Sequence, residues 1–255
     1  MPLSSNQIKY VKSLQLRKFR QMYGNFVVEG DKMVKEILGQ PHISVEGLYA
    51  LPEWLEENQK YLRGGDFPVE TLSPKELGRI SGLKTPNKVL AVVRRFDRTP
   101  DPARLRKSIA LFLDDLQNPG NVGTILRIAD WFGIPFVFAS PDSAEWYNPK
   151  VIQASMGAFA RVSFHTLDFD ALLEQAGDMP VLGTDMSGEN VFETEMPAAA
   201  ILIVGNEGRG ISSQMEARLH RKIAIPPHAD NGSESLNAAV ATGIICAVYR
   251  HRHPA

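Results

Sequence analysis

The sequence has a single cysteine, Cys246, among its 255 residues. One cysteine excludes an intramolecular disulfide and is typical of proteins from a reducing cytosol. Because Cys246 lies in the apolar run NAAVATGIICAVY, we expect a packed thiol rather than a nucleophile. No apolar run approaches the length of a membrane span, and the opening MPLSSNQIKYVKSL is too polar for a signal peptide. We therefore expect a cytoplasmic protein that does not associate with membranes.

Several kinds of catalytic site lack their signatures in this chain. The six histidines have no spacing typical of metal ligands and no cysteine cluster beside them, so we expect no metal site. The G-x-S-x-G elbow of Ser-His-Asp hydrolases is absent. A nucleotide-dependent oxidoreductase would need a glycine fingerprint after its first strand and an acid about 20 residues later. The loop QNPGNVG does not fit that fingerprint, which disfavours this class.

Acidic residues are missing from the first 22 residues, although the whole chain has a net charge of only -1. Residues 1–100 carry 16 Lys+Arg against 11 Asp+Glu, and the remainder carries 12 against 18. A basic amino-terminal face attracts polyanions, because neutralising phosphates releases counterions. A solvated helix face would have the same composition, and the pattern leaves both interpretations open. The candidate RNA-binding residues are Lys9, Lys12, Arg17, Lys18 and Arg20.

Runs typical of strands and helices alternate along the chain. The later strand-like runs are short and rich in Val, Ile and Leu: SIALFLDDL, FVFAS, MPVLGTD, AILIVGNE and KIAIPP. Buried strands alternating with helices predict a parallel α/β sheet. The segment RRFDRTPDPARLRK, with two prolines and five arginines, indicates a break between domains. We expect a small α/β domain with a basic amino-terminal helix at residues 1–98, a linker at 99–106, and a parallel-sheet domain at 107–255.

Three polar loops follow strands of the predicted second sheet, and ligands of such sheets bind at that edge. In QNPGNVGTILRIAD, asparagines and glycines open a helix that carries Arg127 near its positive end. In IVGNEGRGIS, the central Glu207 disfavours phosphate and suits a ligand with hydroxyls, an amine or a positive charge. In IPPHADNGSESLNAAVATG, Ser235 and Asn237 stand at the start of the last helix, where capping would explain one of them.

Together, NPGNVGTILRIAD, IVGNEGRGIS and IPPHADNGSESLNAAVATGI resemble the three ordered motifs of the SpoU (TrmH-like) class of the SPOUT methyltransferases. The resemblance covers about residues 107–250. It implies a parallel-sheet domain whose carboxyl-terminal segment forms a trefoil knot, against the usual topology rules. The amino-terminal part, through FVVEGDKMVKEIL and TPNKVLAVV, is similar to the L30e-like substrate-binding domain of the 23S ribosomal RNA guanosine 2′-O-methyltransferases of this class.

The resemblance also implies S-adenosyl-L-methionine as cofactor, RNA as substrate, and a homodimer whose two subunits complete each site. The reaction implied is an in-line methyl transfer from the sulfonium to a ribose 2′-hydroxyl. By motif match, the catalytic residues are Arg127, Asn121, Glu207, Ser235 and Asn237. The cofactor-binding residues implied in the same way are Gly205, Asn206, Glu207, Gly208, Ile225, Pro226, Ser235, Leu236 and Thr184.

The role of Arg127 has two interpretations, a general base or a group that orients the hydroxyl. A guanidinium with a pKa above about 12 is a poor base. We therefore favour a clamp on the phosphate and hydroxyl, in which a phosphate oxygen shares the proton. Asn121 would position either Arg127 or the ribose, and Glu207 would orient the guanidinium from the partner loop. The extra amino-terminal domain favours ribosomal RNA. The alternatives are a transfer RNA 2′-O-methyltransferase and a catalytically silent RNA-binding or ribosome-assembly factor on the same fold.

Overall fold

The structure is a computed structural model that describes residues 3–230, 232 and 234–254. It divides into two compact units. The first unit comprises residues Met1–Phe96 and Glu145–Ala160, and the second comprises Asp97–Ala144 and Arg161–Ala255. Across the described residues, no helix has both the length and the apolar character needed to cross a membrane.

The elements follow one another in an alternating order that agrees with the predicted α/β class. Up to residue 96 they are α1 (Ser5–Ser13), α2 (Arg17–Tyr23), β1 (Asn25–Glu29), α3 (Asp31–Leu38), β2 (Val45–Ala50), α4 (Pro52–Glu57), α5 (Gln59–Leu62), β3 (Val69–Thr71), α6 (Pro74–Ile80) and β4 (Val89–Arg94). Beyond it they are α7 (Pro102–Leu105), β5 (Ile109–Leu113), α8 (Pro119–Trp131), β6 (Phe136–Ala139), α9 (Pro149–Ser155), β7 (Ser163–Thr166), α10 (Phe169–Ala176), β8 (Val181–Asn190), β9 (Ala200–Val204), α11 (Ser213–Glu216), β10 (Arg221–Ala224) and α12 (Ala238–Arg252).

The first unit is built on a mixed sheet in the order β1-β4-β2-β3. β4 pairs antiparallel with both β1 and β2, and β3 runs parallel to β2. Apolar side chains of α1 and α6 pack on one face, around Val27, Leu90 and Val92. A capping box starts each of these helices, with Ser4 and Ser73 as the caps. These features explain why two short helices at opposite ends of the domain sequence pack together.

Helix α9 belongs to the first unit, whereas the sequence prediction placed its residues in the domain 107–255. Val151 and Ile152 of α9 are buried, and the helix packs on β1. The ring of Phe26 on β1 meets Tyr147 with 4.6 Å between centroids and Phe159 with 6.0 Å. The segment 145–160 therefore completes the hydrophobic core of the first unit.

The second unit contains a parallel sheet in the order β10-β8-β9-β5-β6-β7. Every residue of β5 and of β9 is buried, because helices cover both faces. This sheet confirms the predicted parallel α/β architecture. One strand, β7, was missed by the sequence analysis, since its sequence SFHT is short and contains only one apolar residue.

Two predicted segments differ in detail. The run PEWLEENQKYL, at residues 52–62, is typical of a single helix, but the structure divides it at Asn58 into α4 and α5. The buried Asn58 Nδ2 donates to the carbonyl of Trp54 at 2.8 Å. The predicted linker contains the short helix α7, which Asp101 caps by accepting from the amide of Ala103 at 2.9 Å.

Candidate active site

The second unit has a cavity of about 450 Å³ at the carboxyl ends of β8, β9 and β10. A cavity of this size accommodates a small-molecule ligand. Its lining combines apolar side chains with backbone groups and a few polar side chains: Thr184, Asp185, Met186, Val204, Gly205, Asn206, Glu207, Gly208, Gly210, Ile211, Ile223, Ala224, Ile225, Glu234, Ser235, Leu236, Ala238, Ala241, Thr242 and Ile245.

A register shift between β8 and β10 forms one wall of the cavity. Lys222 pairs with Gly183, but the next residue, Ile223, pairs with Glu189. The intervening residues of β8 bulge out of the ladder, which carries Thr184 and Asp185 into the lining. Hydrogen bonds from the Ser187 hydroxyl and amide lower the pKa of Asp185, so this wall presents a carboxylate.

A tight loop after β9 forms the floor. Asn206 and Gly210 make an antiparallel bridge through two backbone hydrogen bonds of 2.9 and 3.0 Å. The Asn206 side chain accepts from the amides of Gly208 at 2.9 Å and Arg209 at 3.1 Å. At Gly205 a Cβ would lie 2.4 Å from the carbonyl carbon of Gly210, so only glycine permits this close approach.

The end of β5 anchors this loop to the rest of the sheet. The buried carboxylate of Asp114 accepts from the amide of Ser212 at 2.7 Å. The neighbouring Asp115 adopts a positive φ of 52°, which is uncommon for a residue other than glycine. In that conformation its carbonyl accepts from Asn206 Nδ2 at 2.8 Å, and its carboxylate pairs with Arg209. These contacts fix the loops after β5 and β9 against each other.

A polar network joins the three predicted motifs. Asn121 Nδ2 donates to Glu207 Oε1 at 2.9 Å, and the amide of Asn118 donates to the same oxygen at 3.3 Å. Asn237 Nδ2 donates to Asn121 Oδ1 at 3.0 Å. Asn237 also caps α12, since its Oδ1 accepts from the amides of Ala239 and Val240. The structure thus joins Glu207 and Asn237 through hydrogen bonds to Asn121.

Arg127 lies outside the cavity of its own chain. Its side chain is exposed on α8 and forms no hydrogen bond or ion pair with any residue that the structure describes. Within one chain Glu207 does not orient the Arg127 guanidinium, because it accepts from Asn121 and Asn118 instead. Helical spacing puts Arg127 on the same face as Trp131, whose side chain is 83% exposed.

All the residues predicted to bind the cofactor line the cavity except Pro226, which is exposed just beyond it. Ser235, predicted to be catalytic as well, lines the cavity as an exposed residue. Sequence reasoning missed Asp185 and Met186, which no motif marks and which only the β8 bulge brings in. It also missed Thr242 and Ile245, although their spacing on α12 could have indicated a common helix face.

The candidate RNA-binding residues fall into two groups. Lys9, Lys12, Arg17 and Lys18 are exposed on α1 and α2. Arg20 is only 2% exposed, and its guanidinium donates to the carbonyls of Leu14 and Gln15 and pairs with Glu145. Its prediction as an RNA contact is therefore wrong, since the guanidinium is buried and already bonded inside the first unit.

Two expectations about other chemistry can be compared with the structure. Cys246 is fully buried, and burial raises the pKa of its thiol to about 12, which confirms a packed rather than a nucleophilic cysteine. Within the described parts of the chain, no group of three or more His, Cys, Asp or Glu side chains has an arrangement suited to a metal ion.

Comparison with known protein families matches both parts of the chain. The SpoU rRNA Methylase family matches residues 108–247, which include all three motifs. The MRM3-like substrate binding domain matches residues 5–91. The first match spans more than half of the chain, and it contains the cavity and the polar network described above.

Individual relatives match over nearly the whole length. The 23S rRNA guanosine 2′-O-methyltransferase RlmP of Bacillus subtilis is 27% identical, over 94% of each chain. A solved structure of a TrmH-family protein from Porphyromonas gingivalis has a TM-score of 0.85 and 38% identity, and covers 99% of this chain and 100% of its own. The SpoU methyltransferase AviRb from Streptomyces viridochromogenes, solved with AdoMet, has a TM-score of 0.81 at 23% identity and covers 99% of each chain. The chain belongs to the SpoU rRNA methylase family.

Proposed function

We propose that the protein is an S-adenosyl-L-methionine-dependent RNA 2′-O-ribose methyltransferase that acts on 23S ribosomal RNA. The observation that carries this proposal is the cavity of the second unit, formed by the loops that hold the family's motifs. RlmP and the Streptomyces viridochromogenes uridine enzyme, which is 28% identical over 92% of this chain and 86% of its own, are both named as 23S rRNA 2′-O-methyltransferases. We propose further that the protein acts in the cytoplasm.

The lining of the cavity fits S-adenosylmethionine. Ile223, Ile225 and Leu236 offer apolar contact for a flat adenine. Thr184 and Ser235 offer hydroxyls for the polar groups of the ligand. The Asp185 carboxylate lies at the same wall, where it pairs with Lys222 at 3.2 Å. AviRb, which shares this fold, was solved with AdoMet. We assign the cofactor to this cavity, with Gly205, Asn206, Glu207 and Gly208 beside it.

S-adenosylmethionine bound in this cavity would supply an electrophilic methyl group to the 2′-oxygen of the target ribose, leaving S-adenosylhomocysteine, and the hydroxyl would give up its proton. The chain's own contribution is to orient the ribose and to stabilise negative charge on that oxygen. Arg127 has a free guanidinium for this purpose among the residues that the structure describes, and it stays protonated at neutral pH. A bidentate contact of Arg127 to the ribose and its phosphate would hold the hydroxyl in line and leave a phosphate oxygen to accept the proton. Asn121, Glu207 and Asn237 keep the motif loops in register.

A homodimer accounts for the position of Arg127 outside its own cavity. The face of α8 that carries Arg127 also exposes Trp131, and Val240 at the start of α12 is 51% exposed. Leu236, which lines the cavity, is 48% exposed. Large exposed apolar side chains, when they form one patch, mark an association surface. We propose that a second copy covers this surface and that Arg127 of one subunit completes the site of the other.

The trefoil knot is part of the same proposal. The loop from β10 to α12 lies at the same cavity as the loop after β9, and α12 packs back on α8. A carboxyl-terminal segment that passes through an earlier loop would produce this proximity. The knot would then hold the cofactor loops together without a disulfide.

Substitution of Arg127 tests the catalytic assignment. Arg127→Ala should abolish methyl transfer while leaving S-adenosylmethionine affinity within about twofold, because the side chain forms no hydrogen bond or ion pair with a described residue and lies outside the cavity. Arg127→Lys keeps the charge but loses the planar fork, so it should recover only a small part of the activity. Calorimetric cofactor titration and methyl-transfer rates give the two measurements. Loss of cofactor binding and turnover together would indicate a structural arginine and contradict the proposal.

Mixing two inactive variants tests whether the site is shared between subunits. Arg127→Ala keeps its cavity, whereas Ala241→Leu fills the cavity from α12 and keeps Arg127. If Arg127 acts on the partner's cofactor, each heterodimer has one complete site out of two. About half of the dimers in an equal random mixture are heterodimers, so mixing should restore about a quarter of wild-type activity. No recovery in confirmed heterodimers would refute an arginine acting across the interface.

The dimer surface has its own test. Trp131→Glu puts a charge on the exposed face of α8 that carries Arg127, so it should convert the dimer to a monomer in sedimentation. The matched control is Met22→Glu, which puts the same charge at an exposed apolar residue of the first unit and should leave the mass unchanged. A dimer that survives Trp131→Glu would place the interface elsewhere.

A further inference from the structure

The first unit contains a second cavity, of about 540 Å³, that the proposed reaction does not use. It is lined from three directions: by Gln15 between α1 and α2, by Glu29 and the loop after α6, and by the face of α9. Its apolar wall includes Val27 and Ile152. The volume lies in the range of cavities that bind small ligands or single chemical groups of larger ones.

Polar groups at this cavity have unused binding capacity. The side chains of Lys84 and Lys150 are exposed and form no ion pair within the part of the chain that the structure describes. Gln15 Nε2 is buried without a hydrogen-bond partner among the described residues. The amide of Gln153 forms no side-chain hydrogen bond there either. A cavity with two free cations and two free amides is suited to a ligand that is both anionic and rich in hydrogen-bonding groups.

The carboxylate of Glu29 does not cancel this character. It is buried, and it accepts from the Ser81 hydroxyl at 2.5 Å and from the amide of Gly82 at 2.8 Å. These bonds hold the loop after α6 in place and occupy the carboxylate. At Gly82 a Cβ would lie 2.6 Å from the Gln15 amide, so the glycine leaves room for that amide at the cavity.

The surroundings of the cavity extend the positive charge. Gln15 lies between α1, which exposes Lys9 and Lys12, and α2, which exposes Arg17 and Lys18. A single-stranded RNA binds most readily where a positively charged surface follows its backbone and a pocket receives an unstacked base. Apolar walls suit the faces of the base, amides suit its edge, and lysines suit the phosphates on either side.

We infer that the cavity lined by Gln15, Gln153, Lys84 and Lys150 binds one unpaired nucleotide of the substrate RNA, distinct from the nucleotide that is methylated. This inference rests on the proposed function, because it takes RNA as the substrate. The base packs against Pro149 and Met156, apolar lining residues that are at least partly exposed. Lys84 and Lys150 hold its flanking phosphates, and the two glutamine amides contact the base edge. The first unit thereby selects an RNA that has an extrudable base besides the target nucleotide.

The charge contribution is tested with Lys84→Gln/Lys150→Gln in the full-length protein. The double variant should weaken binding of a 23S RNA fragment. It should also reduce the magnitude of the slope of log K against log salt by about 1.4, because each of the two lost phosphate contacts of a single strand contributes ~0.7. The control is Lys32→Gln/Lys75→Gln, which removes the same charge from exposed positions of the same unit outside the cavity. Equal effects of the two double variants would overturn the inference, since general attraction would then explain both.

The nucleotide itself is identified by cross-linking. RNA containing 4-thiouridine or 6-thioguanosine is irradiated with the wild-type protein, and the linked peptide is located by mass spectrometry. A link from one unpaired nucleotide to a peptide that includes residues 82–84 or 149–156 is expected, and replacing that nucleotide by an abasic site should weaken binding roughly tenfold. Links elsewhere, with RNA binding and methylation intact, would overturn the inference and leave the proposed function standing. A wild-type protein that neither binds nor methylates RNA would overturn both.

Discussion

Gly205→Ala is the substitution for which the structure gives the clearest expectation. The added methyl group would lie 2.4 Å from the carbonyl carbon of Gly210 and 2.5 Å from the amide nitrogen of Ile211. Non-bonded carbon atoms prefer a separation of about 3.5–4.0 Å, so the loop after β9 has to move by about 1 Å. Overpacking of this kind destabilises a fold by about 1–3 kcal/mol. The same movement displaces Asn206 and Glu207, which line the cavity.

The assay compares Gly205→Ala with Gly208→Ala, three residues along the same loop. At Gly208 a Cβ would lie 3.7 Å from Asn206 Oδ1, which is ordinary contact, and neither glycine has a positive φ. Gly205→Ala should lower the melting temperature by roughly 2–4 °C for each kcal/mol of unfolding free energy that is lost. It should also weaken S-adenosylmethionine binding at least about tenfold. Gly208→Ala should stay within about 1 kcal/mol of the wild type, on either side.

The reasoning would be refuted by a Gly205→Ala protein that melts and binds cofactor like the wild type. It would also be refuted if both variants lost the same stability, because the steric difference between the two positions would then have no consequence.

Two further predictions concern the stability of each unit. Arg20→Ala breaks a buried ion pair with Glu145 and should destabilise the first unit by about 3–5 kcal/mol. The control Arg17→Ala, on the exposed side of α2, should change the stability by less than about 0.5 kcal/mol. Chemical denaturation of each variant measures both changes, and equal effects would contradict the burial of Arg20. Burial lowers the pKa of His165 to about 4, below its ordinary value of 6.5. Between these values the unfolded chain binds a proton that the folded chain does not, so this residue should make stability fall as the pH drops from about 6.5 to 4. Melting temperatures of wild type and His165→Gln across that range provide the measurement, and parallel curves would contradict the shift.

The fold was largely predictable because its strongest signals are local. The strands of the second sheet are continuous runs of buried aliphatic residues, and only β7, with its sequence SFHT, lacked that signal. The position of α9 was not predictable, because the segment that contains it packs on β1, more than 100 positions earlier in the chain. The prediction of Arg20 as an RNA contact was wrong for the same reason, since its partner Glu145 lies far along the chain. Composition shows that a helix is basic, but tertiary contacts decide which of its cations meet solvent.

In the candidate site, too, features with a local sequence signal were predictable and features that depend on tertiary contacts were not. The motif residues Asn121, Glu207 and Asn237 are joined by hydrogen bonds in the structure, and their proximity follows from the loops at one edge of a parallel sheet. Asp185 lines the cavity only because of the register shift between β8 and β10, and no sequence pattern predicts that shift. Motif matching also could not predict that Arg127 is exposed. The proposal that Arg127 acts in the site of a second subunit is based on this exposed position.

The central claim is tested most directly by the position of the methyl group in the product. Purified protein is incubated with methyl-labelled S-adenosylmethionine and, separately, with unmodified 23S, 16S and transfer RNA transcripts, and each RNA is digested to nucleosides. The account predicts label in a single 2′-O-methyl nucleoside from 23S RNA alone. Label on a base would contradict the 2′-hydroxyl chemistry, and label from transfer RNA alone would contradict the substrate. No label in any RNA, with cofactor binding verified, would contradict the proposal in favour of a catalytically silent RNA-binding factor.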